Sequence, residues 1–298
     1  MHKRKFLIGV LLVASVLTSI IVYQRWVNEA RRQQAANEET GYVAPEGGSG
    51  DAGGAESGND ESSWAEVLSV AETLLASMRS EVQDYQGVLL ARERVGGKLS
   101  EESRMQIKVR NPSDDHGLSA YLKFESEASK GREVIWSEDH PEGKLVAHEG
   151  GLKRMLLGTL ELDPNGMLAM AGQKYPITDI GLIRLAEKLI EKGQKESQNP
   201  QAQVRIIEDQ IVGDRVCRMY QVTNPNKSEL SEFHIAQVCI DVERNVPLRF
   251  ASYMWPEEPG QAPPLEEEYT YLNLELNPGL TDLDFDRKNP HYNFPLKK

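Results

Sequence analysis

Length and composition indicate a single folded domain with extensions. The chain has 298 residues, of which 27% are charged and 39% are hydrophobic, and this composition argues against collagen-like, multi-span membrane and disulfide-rich toxin classes. The formal net charge is −12. Because so acidic a surface repels phosphate backbones, the charge also argues against nucleic-acid binding as the main function.

The N-terminus predicts a membrane anchor. Residues 1–5 are cationic, residues 6–23 carry no charge, and Trp26 follows. A helix over residues 6–26 is roughly 31 Å long at about 1.5 Å per residue, which matches a bilayer core. We therefore expect a single-pass signal anchor, with a cleaved signal peptide or a buried core helix as alternatives. The basic cluster places the C-terminal domain outside the cytoplasmic membrane, in the periplasm or extracytoplasmic space.

A polar tether separates the anchor from the folded domain. Residues 33–62 are mostly Gly, Ala, Ser, Glu and Asp, and they have too little apolar surface to offset the entropy of ordering. We expect this segment to be disordered. The folded domain is expected over residues 63–298.

The first ordered element is an amphipathic helix at about residues 64–81. Ser63 and Glu66 have the spacing of a capping box. Apolar residues then recur every three or four positions and form one stripe along the helix: Val67, Val70, Ala71, Leu74, Leu75 and Met78. This stripe must pack on another element, and the residues that follow it predict a sheet.

From Tyr85 onward the apolar pattern has period two and is interrupted by turn residues. The expected strands are 85–95, 104–110, 118–125, 132–138, 143–149, 154–162, 203–211, 215–223, 233–242, 247–255 and 268–276. One further helix is expected from Thr178 or Asp179 to Lys192. The predicted fold class is α+β: a strongly curved, largely antiparallel sheet of about eleven strands, an unclosed barrel, with helices over its concave face.

The two cysteines lie in consecutive predicted strands. If the turn between these strands is centred near Ser228, Cys217 lies directly opposite Cys239, at a separation that a disulfide can span. An oxidising compartment would preserve that bond. Two buried, reduced thiols are the alternative.

Several stretches together resemble the bacterial family catalogued as domain of unknown function 1571. They are 84–99 (DYQGVLLARERVGGKL), 108–112 (KVRNP), 130–136 (KGREVIW), 158–170 (GTLELDPNGMLAM), 175–181 (YPITDIG) and 269–294 (YTYLNLELNPGLTDLDFDRKNPHYNF). The resemblance covers roughly residues 65–295 and implies a domain identity, because that family has no established activity. The succession of elements more distantly resembles the LolA, LolB and RseB lipoprotein carrier fold, which implies a half-barrel whose cavity accepts acyl chains or lipoprotein partners.

The sequence contains no recognisable catalytic or metal motif. Patterns for zinc proteases, serine hydrolases, dinucleotide binding and P-loops are missing, and the histidines are not at metal-ligand spacing. We therefore predict no enzyme activity, no cofactor and no metal. Glu266, Glu267 and Glu268 are the one candidate acid-base group, with Glu266 and Glu268 expected on one strand face and Glu267 on the other.

Broad apolar side chains are the remaining candidates for a binding site. The candidate ligand-binding residues are Tyr121, Phe124, Trp136, Met155, Leu157, Met170, Tyr253 and Trp255; the alternative is that they are ordinary core. The leading expected function is binding or carrying a lipid or lipoprotein acyl chain. The alternatives are an RseB-like sensor that binds an envelope protein, and a hydrolase that uses the three glutamates.

Overall fold

The structure is a computed structural model and describes residues 63–258 and 260–295. These residues all belong to one compact unit. The predicted anchor at 6–26 and tether at 33–62 lie outside the described residues. Within the described part of the chain, no helix is both long enough and apolar enough to span a membrane.

The described residues form three helices and twelve strands. The helices are α1 (Trp64–Glu81), α2 (Gly151–Leu157) and α3 (Leu182–Glu196), with 3-10 helices at Ile177–Asp179 and Asp282–Phe285. The strands are β1 (Asp84–Val95), β2 (Lys98–Leu99), β3 (Ser103–Arg110), β4 (Ser119–Phe124), β5 (Glu133–Ser137), β6 (Leu145–His148), β7 (Thr159–Leu162), β8 (Gln203–Val212), β9 (Arg215–Thr223), β10 (Ile235–Asp241), β11 (Pro247–Tyr253) and β12 (Leu265–Leu276).

All strands belong to one antiparallel sheet with the order β7-β6-β5-β4-β3-β1-β12-β11-β10-β9-β8, and β2 pairs with β1 beside this path. The two edge strands, β7 and β8, do not pair with each other, so the sheet is not closed. So large an antiparallel sheet curls. The predicted α+β half-barrel is confirmed, although the short strand β2 was missed.

Helix α1 has the predicted bounds, and its cap is formed. The Ser63 hydroxyl oxygen accepts a hydrogen bond from the Glu66 N–H at 3.2 Å. The apolar stripe buries Leu75 and Met78. Together with α3, α1 covers apolar side chains of β9, β10 and β11, and Arg79 of α1 pairs with Glu187 of α3 at 2.7 Å. The helices therefore cover the C-terminal half of the sheet.

The predicted strand at 154–162 is wrong in its first half. Residues Gly151–Leu157 form helix α2, and only Thr159–Leu162 form a strand. Gly158 has a φ of 64° and ends the helix, a conformation that favours glycine. In so short an apolar run, the periodicity does not distinguish a helix from a strand.

The second long helix begins and ends later than expected. Residues Ile177–Asp179 form a 3-10 turn, and α3 spans Leu182–Glu196. The helix begins after Gly181, whose φ is 117°. The hydroxyl oxygen of the buried Tyr85 accepts a hydrogen bond from the Leu182 N–H at 3.0 Å. A residue of β1 thus supplies the cap that Gly181 lacks.

The predicted register of the β9–β10 hairpin is wrong by two residues. Cys217 lies opposite Asp241, and Cys239 lies opposite Met219. Because the shift is even, both cysteines stay on one face, but they are diagonal neighbours rather than an opposed pair. Both thiols are free and buried; burial raises the pKa of Cys217 to about 12 and also raises that of Cys239.

The closing segment, residues 277–295, packs on the opposite face of the sheet from the helices. The Tyr292 ring stacks on Tyr121 with centroids 3.9 Å apart, and the Phe294 ring meets His148 edge-on at 4.6 Å. The Thr281 N–H donates to Asp284 Oδ2 at 2.9 Å and begins the short 3-10 helix of this segment. The C-terminal residues are therefore part of the domain's packing.

A buried carboxylate holds the end of this segment. Glu133 has no exposed surface and accepts hydrogen bonds from the Asn293 backbone N–H at 3.0 Å and from its Nδ2 at 2.8 Å. His148 Nε2 lies 3.5 Å from the same carboxylate. Burial alone would raise the pKa of Glu133, but the contact with His148 and the hydrogen bonds from Asn293 outweigh burial and lower it.

Candidate functional site

A cavity of about 510 Å³ lies between the N-terminal half of the sheet and the segment that leads into α3. Its volume is in the range of small-molecule binding pockets. The apolar part of the wall consists of Leu89, Ala91, Met105, Leu122, Phe124, Val134, Leu145, Ala147, Leu157, Leu160, Leu162, Pro164, Leu168, Ala169, Ala171, Pro176, Ile177, Ile180, Leu185, Leu189 and Phe250. Strands β1, β3–β7 and β12 form its floor.

The uneven cover of the sheet explains why the cavity is here. Over β9–β11, the two long helices leave a space of only about 120 Å³. Over β3–β7, the cover consists of residues 163–181 and the start of α3, and residues 163–181 contain only one turn of 3-10 helix. Because this irregular cover fills less volume than two packed helices do, the space above β3–β7 stays open.

One end of the cavity is polar. The Tyr269 hydroxyl donates to Glu93 Oε1 at 2.6 Å, and the Lys174 backbone N–H donates to Glu93 Oε2 at 2.7 Å. Burial, and then the charge of Glu93, raise the pKa of Tyr269, so its hydroxyl stays protonated. Glu93 and Tyr269 both line the cavity, and together they place a fixed hydrogen-bonded pair in its wall.

A second carboxylate, Glu267, lies in the same wall and is buried. Its Oε2 lies 3.2 Å from Lys174 Nζ, and its Oε1 accepts from the Ser252 hydroxyl at 3.4 Å. Burial raises the pKa of the neighbouring Tyr175, and Glu267 raises it further. Burial lowers the pKa of Lys174, but Glu266 and Glu267 outweigh burial and raise it. This end of the cavity therefore combines the carboxyl groups of Glu93 and Glu267 with tyrosine hydroxyls, and the Lys174 ammonium group lies beside Glu267.

The three consecutive glutamates are divided among ion pairs. Lys174 Nζ lies 2.9 Å from Glu266 and 3.2 Å from Glu267, whereas Glu268 pairs with the buried Arg249 at 2.7 Å. Each carboxylate thus has a cationic partner. The ion pairs with Lys174 join Glu266 and Glu267 to the segment before α3, and the ion pair with Arg249 joins Glu268 to β11.

The structure brings two of the eight candidate ligand-binding residues into the cavity wall, Phe124 and Leu157. Met155 lies on α2 and is exposed to solvent. Met170 is half-buried between Ala169 and Ala171, which line the cavity. Phe124 and Leu157 therefore share a cavity wall, and the role of the set in ligand binding stays a prediction.

The other four candidates pack elsewhere. Trp136 is buried in the main core, and its Nε1 donates to the Gly143 carbonyl at 3.3 Å. Tyr121 lies under the closing segment. Tyr253 is buried beside Arg249, which donates to its hydroxyl at 3.2 Å. The Trp255 Nε1 donates to the Asn224 carbonyl at 3.0 Å.

Sequence reasoning missed the polar end of the cavity. Tyr269 and Tyr271 alternate with polar residues in a predicted strand, so the sequence alone indicates that they lie on the same face of the sheet. Tyr175 lies in an irregular segment with no period, and nothing local connects it with β12. Glu93 and Lys174 are far apart in the sequence, and only the fold shows that the Lys174 backbone N–H donates to the Glu93 carboxylate.

No group of three or more His, Cys, Asp or Glu side chains in the described residues is arranged to hold a metal ion.

The family model for DUF1571, described as a protein of unknown function, matches residues 82–294. The chain therefore belongs to the DUF1571 family, as its sequence motifs indicated. Among curated proteins, no sequence match is found.

Several solved structures are similar to this chain at low identity. A DUF1329 family protein from Desulfovibrio piger is 12% identical, with 74% of this chain and 97% of that chain covered and a TM-score of 0.36. The match to the MucA/MucB complex of Pseudomonas aeruginosa is 17% identical, covers 74% of this chain and 60% of that chain, and has a TM-score of 0.41. A LolA superfamily protein from Nitrosomonas europaea is 9% identical, with 73% of this chain and 97% of that chain covered and a TM-score of 0.29.

Proposed function

We propose that this domain is a non-catalytic binding protein that holds an apolar ligand, a lipid or acyl chain, in the cavity of its half-barrel. The observation that carries the proposal is the cavity of about 510 Å³ with a largely apolar wall. Burial of apolar surface contributes about 0.8 kcal/mol per CH₂ group. An acyl chain with about ten buried CH₂ groups would therefore gain roughly 8 kcal/mol, which before association costs corresponds to micromolar affinity.

The polar end supports an amphiphilic ligand. Glu93, Tyr175, Glu267 and Tyr269 line the cavity at that end, with Lys174 bound to Glu93 and Glu267. The rest of the wall is mostly apolar and also includes polar side chains, among them Arg132, His148, Glu149, Asp179, Lys188 and Lys192. A ligand with one apolar chain and one polar head would match both parts. The paired state of the carboxylates is the reason that we favour binding over hydrolysis.

A cavity-filling substitution tests the proposal. Ala147 lies in β6, lines the cavity and is only half-buried, so Ala147→Trp fills space without displacing a packed core side chain. We expect residues 63–298 to bind a fluorescent fatty acid saturably, and Ala147→Trp to abolish that binding. Ala76→Trp, on the exposed side of α1, adds the same side chain as a control and should bind like the native domain.

Two results would count against lipid binding. Unsaturable binding, or equal binding by both tryptophan variants, would show that the probe does not enter the cavity. Native mass spectrometry that finds no co-purified lipid, combined with crosslinking that recovers an envelope protein at the cavity, would favour the sensor or interaction role instead.

The proposed location is the outer side of the cytoplasmic membrane, with residues 6–26 as the anchor. The cationic residues 1–5 and the uncharged run after them support it. An alkaline phosphatase fused after Lys298 should be active. An inactive fusion, with an active cytoplasmic reporter at the same place, would reverse this orientation.

A further inference from the structure

Large apolar side chains are concentrated on the surface beside the mouth of the cavity. Six of the twelve large hydrophobic residues exposed in the described part of the chain lie in α2 and in the segment after β7, each between 54% and 89% exposed. We call them the apolar rim: Leu152, Met155, Leu156, Leu157, Met167 and Leu168. Soluble domains seldom expose such a cluster unless it binds something.

The rim has the arrangement of a surface that lies on a membrane. Leu152, Met155 and Leu156 have i, i+3, i+4 spacing and share one side of α2. Lys153 is exposed and lies next to this side of the helix, and its long side chain can keep its charge at the headgroups while the apolar side is buried. Arg154 lies on the other side of α2, where its Nη1 donates to the Asn293 carbonyl at 3.4 Å.

The local charge is opposite to that of the chain as a whole. The chain has a net charge of −12, but residues 150–158 contain two basic and no acidic side chains, and residues 164–173 contain no charge. Of the acidic residues that flank these segments, Glu149 pairs with Arg132 at 2.9 Å and Glu161 with Arg287 at 3.4 Å. The rim therefore carries the basic Lys153 and little uncompensated negative charge, so it is the face of this acidic domain that an anionic bilayer repels least.

We propose that the apolar rim docks on the surface of an anionic lipid bilayer, with α2 in the headgroup region. Leu157 and Leu168 belong both to the rim and to the cavity wall, so the docked face carries the cavity mouth. The docking follows from the exposed surface and does not depend on what the cavity binds.

Lipid-borne quenching tests the docking in the full chain. Met155→Cys is labelled with an environment-sensitive fluorophore, which is selective because Cys217 and Cys239 are buried. Ile211→Cys, on edge strand β8 and also exposed, is the matched control. Each protein is placed with vesicles of phosphatidylethanolamine and phosphatidylglycerol that contain nitroxide lipid. We expect several-fold stronger quenching at position 155 than at position 211.

Substitutions of the rim separate its two contributions. With the label at position 155, Lys153→Gln should lower the ratio of docked to undocked protein roughly fivefold, because a basic residue near an anionic surface contributes about 1 kcal/mol. Leu152→Ser with Leu156→Ser should abolish the quenching.

Three outcomes would overturn the proposal. They are equal quenching at positions 155 and 211, quenching at 155 that is unchanged in the double serine variant, and a label at 155 that stays unquenched in vesicles but crosslinks to a protein in native membranes. The last result would assign the rim to a protein partner.

Discussion

Tyr85→Phe should weaken the start of α3 and the cavity wall that depends on it. The substitution removes one oxygen atom, which is the acceptor for the Leu182 N–H at 3.0 Å. Both residues are buried, so water cannot replace the hydroxyl. An unsatisfied buried donor costs about 1–3 kcal/mol, and a lost N-cap acceptor costs about 0.5–2 kcal/mol. These ranges describe the same contact, and we expect a loss of about 2 kcal/mol.

Thermal and chemical unfolding of the full chain measure this loss, and about 2 kcal/mol corresponds to a decrease in Tm of roughly 4–8 °C for a domain of this size. Hydrogen exchange should quicken at Leu182. Tyr271→Phe is the matched control: Tyr271 is also buried, its ring lies 6.5 Å from that of Tyr85, and its hydroxyl has no hydrogen-bond partner among the described residues. Equal losses in the two variants would refute the capping role of Tyr85.

Two buried carboxylates give further predictions. Glu133→Gln should cost about 2 kcal/mol, because both carboxylate oxygens accept from Asn293 and an amide presents a donor to one of these groups. The folded-state pKa of Glu133 lies below its ordinary value of 4.5. Its contribution to the free energy of unfolding is therefore present above about that pH and is lost as the pH falls. If Glu133→Gln and the native protein lost stability in the same way on acidification, this reasoning would be wrong. Arg249→Met should cost about 3–5 kcal/mol, and Glu268→Met added to it should recover much of the loss; denaturation that finds the double variant no more stable than the single one would contradict the pairing.

Local periodicity was sufficient for most of the elements. The stripe from Val67 to Met78 predicted α1 with its observed bounds, and alternation predicted β9 as Arg215–Thr223. Both patterns repeat over enough residues to distinguish a helix from a strand. The run from Leu152 to Leu157 was too short for that, and its conformation depends on the glycines that flank it.

The sequence by itself determined most of the elements, the antiparallel arrangement and the family, because short connections between alternating strands leave few topologies. Only the tertiary structure decided which side chains meet. Cys217 and Cys239 are on one face in either register, but moving the centre of the hairpin by one residue turns an opposed pair into a diagonal one. Whether Phe124 lines a cavity or a filled core depends on residues 163–181, which approach β4 from far along the chain and carry no periodic pattern of their own.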